Sequence, residues 1–73
     1  MTATLTPNQT ATLEAAVVLI DRELAENPTN WTAQGDRSYI GDLLAYGPAS
    51  PGYGADPAWN IADALAIAGE YVS

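Results

Sequence analysis

Lysine, histidine and cysteine are all missing from this 73-residue chain. Without cysteine there is no disulfide framework, zinc finger or iron–sulfur site. Without histidine, general acid–base catalysis would fall to Asp, Glu or Tyr. Without lysine, the net charge of −7 comes from nine Asp and Glu against only Arg22 and Arg37. The acid count is ordinary, and the acidity arises because bases are scarce. That balance disfavours direct binding to nucleic acid or to an anionic membrane. No apolar run approaches the ~18 residues of a membrane span. Residues 1–6 have neither the basic residues nor the apolar core of a secretion signal, so the expectation is a cytoplasmic protein.

What is present points to one small helical domain over residues 1–73. A chain of this length draws only about 3–5 kcal/mol from its core. With 48% apolar residues it is nonetheless too hydrophobic to stay disordered. Stability must therefore come from helix packing, good caps or self-association. Three amphipathic segments stand out.

The first should run over about 7–26. Thr6 is its N-cap, Pro7 its first residue and Gln9 the return arm of a capping box, while Asn27-Pro28 stops it. Leu13, Ala16, Val17, Ile20 and Leu24 form a stripe about 100° wide. The second should span about 37–46, with Asp36 as N-cap and Gly47 as stop. Tyr39, Leu43 and Tyr46 line its apolar face. Residues 29–34 before it are ambiguous and could form a short extended segment around Trp31, a side chain expected to plug the end of the bundle. The third should run over about 57–72, with Asp56 as cap and Pro57 at the first position. Its core stripe is Ile61, Ala64, Leu65, Ala68 and Val72. The expected fold class is all-α, a compact three-helix bundle.

Candidate chemistry is sparse. Asp36, Asp42 and Asp56 could converge as acid–base or cation-binding carboxylates, but nothing matches the ordered spacing of a calcium loop. Helix capping explains Asp36 and Asp56 more simply. Gly47, Gly52 and Gly54 lack the spacing and the lysine of a phosphate cradle. The expectation is a protein without enzymatic activity, cofactor or metal.

Gly35-Asp36-Arg37-Ser38 opens the expected second helix at mid-chain of an acidic helical protein. That arrangement resembles the acyl carrier proteins, whose serine at the start of the second helix receives a phosphopantetheine arm. The resemblance implies Ser38 as an attachment site. It covers about a dozen residues and departs from the family pattern, because Arg37 stands where the family has Asp and the helix after it is short. The plainer explanation is a polar first-turn residue.

The acidic residues suggest surfaces. Glu14 and Asp21 lie seven residues apart on the first helix, about two turns, and Asp63 and Glu70 repeat the spacing on the third. Such rows could face a basic groove, as nucleic-acid-mimicking inhibitors do. Duplex DNA, however, carries one charge per roughly 1.7 Å, and this chain is a thin imitation of that. A solvated acidic face that keeps the protein in solution is the competing explanation.

Trp59 projects with Asp63, Ala66 and Glu70, about 160° from the core residue Ile61. Exposed Trp and Tyr are frequent interface anchors, so Trp59 and Tyr53 join Asp63, Glu70, Glu14 and Asp21 as candidate partner-binding residues. Trp59 could instead fold back onto the 47–55 loop, and Tyr53 within that loop could be a lid over Trp59 or Trp31. Val18 and Leu19 fall outside the core stripe and suggest either a third packing neighbour or self-association, with a homodimer as the simplest product of the latter.

The reading is an acidic protein-binding module whose partner is a larger protein with a basic surface. Its size and charge fit an inhibitor of the kind phages and mobile elements direct at host nucleic-acid enzymes, by analogy alone. A structural or oligomeric helical protein and a degenerate carrier domain with Ser38 as its attachment point are the alternatives.

Overall fold

The computed structural model describes residues 4–49 and 56–73. Three helices follow in order: α1 (Pro7–Glu26), α2 (Trp31–Tyr46) and α3 (Pro57–Val72). They pack as an all-α bundle, up, down and up, so that α1 and α3 run parallel and α2 antiparallel to both.

The caps decide the limits of α1. Thr6 Oγ1 accepts from Gln9 N at 3.1 Å, and Gln9 Oε1 accepts from Thr6 N at 2.9 Å. This reciprocal pair satisfies two amides that the first turn would leave without partners. Helix α3 begins the same way, with Asp56 Oδ1 accepting from Ala58 N at 3.0 Å ahead of Pro57 in the first turn. Gly47 closes α2 at φ +100°, a conformation that L side chains rarely adopt.

The start of α2 corrects the sequence reading. Residues 31–34 are the first turn of the helix rather than an extended segment, and the N-cap is Asn30, not Asp36. Asn30 Oδ1 accepts from Ala33 N at 3.1 Å, while its Nδ2 donates to Glu23 Oε2 at 2.9 Å. Asn27 Nδ2 donates to the same Glu23 oxygen at 2.9 Å, and Gln34 Nε2 donates to Pro28 O at 2.6 Å. The last turn of α1 thus holds the connection that caps α2. Such a short connection leaves antiparallel neighbours.

The core takes Leu13, Ala16 and Ile20 from α1, Ala33, Tyr39, Ile40 and Leu43 from α2, and Ile61, Ala64 and Ala68 from α3. Helix α1 is the spine: α2 and α3 each pack extensively along it and touch one another much less. Two expected core residues lie outside. Tyr46, in the final turn of α2, is 75% exposed, and Val72, at the end of α3, is exposed as well.

Two side-chain ties hold α2 to α3. Tyr39 OH donates to Asn60 Oδ1 at 3.1 Å, and buried Asn60 donates through Nδ2 to Pro48 O at 2.7 Å. Tyr71 OH donates to Asp36 Oδ2 at 2.7 Å. No buried side-chain polar atom among the described residues lacks a partner.

Candidate partner-binding surface

Because α2 and α3 lean on α1 more than on each other, a groove of about 550 Å³ opens between them. Trp31, Thr32, Gly35, Asp36 and Tyr39 line it from α2, and Asp63, Ala66 and Ile67 from α3. The α3 residues fall between the two ties, Asn60 on one side and Tyr71 on the other. The lining is mainly apolar with two carboxylates, a composition common in ligand sites.

Trp31 is a correction. It is 76% exposed rather than plugged into the bundle end, because the earlier start of α2 places it in the first helical turn, facing outward. Trp59 is 68% exposed on α3 and does not line the groove. At helical spacing it shares a face with Asp63 and Glu70, and both acids are exposed. Trp59, Asp63 and Glu70 therefore form a solvent-facing row, and through Asp63 that row meets the groove.

The α1 acids are in a different setting. Glu14 and Asp21 are exposed, but Arg37 Nε lies 2.9 Å from Asp21 Oδ1, the only ion pair among the described residues. Arg37 and Glu14 also line one shallow groove with Val17, Gly41, Leu44 and Ala45. A positive charge therefore interrupts the acidic row expected on α1.

Asp36 is half-buried inside α2, where it accepts the Tyr71 hydroxyl instead of capping a helix. Partial burial, and then the hydrogen bond to Asp36 and its negative charge, push the Tyr71 phenol up to about 12, with Glu70 and Glu23 adding to the shift. Each factor penalises the phenolate. The described residues contain no group of three acids placed to hold a metal ion.

Ser38 lies two turns inside α2 and is exposed, so it does not occupy the helix-start position on which the carrier resemblance rests. Val18 is 52% exposed on α1, whereas Leu19 is half-buried. Tyr53 falls outside the described residues.

Trp31, Gly35 and Asp36 are the residues that sequence reasoning missed as a surface group. The available signal was Asn30, a strong N-cap residue followed by an apolar residue. Comparison with protein-family models, with curated proteins and with solved structures finds no match for this chain.

Proposed function

We propose that this protein is a small, acidic, non-enzymatic binding module that occupies a basic surface of a larger protein through its α2–α3 face. The observation that carries this reading is the pair of outward-facing tryptophans on a surface that is otherwise acidic. Trp31 and Trp59 are both more than two-thirds exposed, and Asp36, Asp63 and Glu70 accompany them with no arginine paired to them. Large exposed aromatics in a soluble setting are costly to leave wet and frequent as interface anchors. The acids would steer a basic partner and disfavour direct contact with nucleic acid or an anionic membrane.

Action without catalysis is supported by the chain's lack of Lys, His and Cys. Size and charge fit an inhibitor of the phage or mobile-element type that blocks a nucleic-acid-binding surface. Partial mimicry is sufficient for that, since apolar anchors supplement the sparse charge.

Capture of partners from cells of the protein's source, followed by mass spectrometry, tests the reading. Wild-type protein should retain a basic protein that Trp59→Ala retains at least about tenfold less well, the loss typical of a hot-spot residue. Association with that protein should slow as salt rises. A partner retained equally by both proteins, at a rate indifferent to salt, would contradict the proposal.

Self-association through Val18 is the second reading, favoured by that residue's exposure on α1. It predicts elution above monomer size and a return to monomer in Val18→Asp.

A further inference from the structure

Resting on the reading just given, we infer that the α2–α3 groove takes up an arginine side chain from an apolar stretch of the protein partner. Three observations converge on that occupant.

The first is the chemistry of the lining. Ala66, Ile67 and the ring of Tyr39 offer apolar surface, Asp36 and Asp63 add carboxylates, and Trp31 offers an exposed indole. A side chain suited to all three has an aliphatic stem and a planar, weakly hydrated cation. Arginine stacks on indole and forks onto carboxylates, whereas the lysine ammonium is a strongly hydrated point charge.

The second is charge complementarity. Neither arginine of the protein serves this groove: Arg37 is committed to Asp21 on the α1 side, and neither side chain lines the groove. One Asp36 oxygen receives the Tyr71 hydroxyl, which fixes that carboxylate in place. Asp63 is exposed beside the apolar lining.

The third is Gly35. Glycine inside a helix is unfavourable relative to alanine. Here it has no positive φ to require it, and a Cβ at residue 35 would meet nothing within 4 Å. No packing neighbour among the described residues accounts for it. What a side chain at residue 35 would fill is the groove itself. At a position that lines the groove, the missing side chain leaves room for an incoming group.

The test is a titration of the full chain, labelled with nitrogen-15, using blocked peptides Leu-Arg-Leu, Leu-Lys-Leu and Leu-citrulline-Leu at millimolar concentration. The arginine peptide should move the Trp31 indole N–H together with the amides of Asp36, Asp63 and Ala66. The lysine peptide should bind roughly tenfold more weakly, as expected for losing one charge-assisted hydrogen bond. The uncharged citrulline peptide should leave the spectrum unchanged.

Gly35→Leu should abolish the arginine response while folding at least as well, because leucine is a strong helix former in open space. Equal responses to arginine and citrulline, shifts spread evenly over all the acids, or full binding by Gly35→Leu would each overturn the inference. So would a concentration-dependent Trp31 shift without peptide that Arg22→Gln removes, because the occupant would then be a second copy. A groove indifferent to arginine, with capture still weakened by Trp59→Ala, ends this inference and leaves the proposed function standing. Arginine binding with no partner lost on Trp59→Ala does the reverse.

Discussion

Helix α2 carries two interior glycines, and they face different worlds. Gly41 looks toward α1, where Arg37 lies across it: a Cβ there would stand 2.5 Å from Arg37 Nη1. Gly35 looks into the α2–α3 groove and meets nothing. The acids divide in the same way. On the α1 side Asp21 is paired with Arg37, and Glu14 shares a groove with that arginine. On the α3 side Asp36, Asp63 and Glu70 have no cation paired with them among the described residues. A net charge of −7 therefore says little about where a basic partner would land. The position of one arginine says more, because it quiets one face and leaves the other unscreened.

The strongest way to break this comparison is to loosen the α3 side. Asn60→Ala would remove the side-chain partner of the buried Tyr39 hydroxyl and of the Pro48 carbonyl, at a cost of about 1–3 kcal/mol. In a domain of this size that is a large share of the total, and urea unfolding should show it as a lower midpoint with an unchanged slope.

The glycines offer a finer contrast. Gly35→Ala should stabilise the protein by about 0.5–1 kcal/mol, since nothing obstructs the new methyl group. Gly41→Ala should come out near zero, because the same helical gain is offset by displacing Arg37 from Asp21. Both partners are exposed enough that their pair is worth only about 0–1 kcal/mol. Equal effects of the two substitutions would show that Arg37 does not distinguish the faces.

The smallest effect is the tie between Tyr71 and Asp36. The Tyr71 pKa rises from 10.0 to about 12 on folding. A folded-state pKa above the unfolded value means that the stabilisation is fully present below about pH 10 and lost as pH rises through about 12. Ultraviolet titration should show Tyr71 ionising late, and Tyr71→Phe should remove that contribution and the associated loss of stability.

Much of the fold was legible because its signals are local. Thr6-Pro7 with Gln9, Asn27-Pro28 and Asp56-Pro57 each act within four residues, and α1 begins and ends, and α3 begins, where those signals put them. The start of α2 was not legible in the same way. Asn30 and Asp36 are equally good cap residues, and Gly35 between them reads as a break. Only Glu23, a turn earlier in α1, tips the choice by accepting from Asn30. That one decision moved Trp31 from the core to the surface and took Ser38 away from a helix start.

The exposed row of Trp59, Asp63 and Glu70 follows from helical periodicity, which needs no tertiary knowledge. The pairing of Asp21 with Arg37 joins residues 16 apart on different helices, and the groove needs two helices to splay. Neither is written in any single segment.

The central claim is that the unscreened α2–α3 face, and not the α1 face, meets the partner. The most direct measurement compares two doubly neutralised proteins, Asp63→Asn with Glu70→Gln and Glu14→Gln with Asp21→Asn, for their association rate with the captured partner at low salt. Both lose two negative charges, so a purely global charge effect would slow them equally. The account predicts that the α3 pair slows association by on the order of tenfold while the α1 pair stays near wild type. Equal slowing, or a larger effect from the α1 pair, would contradict it.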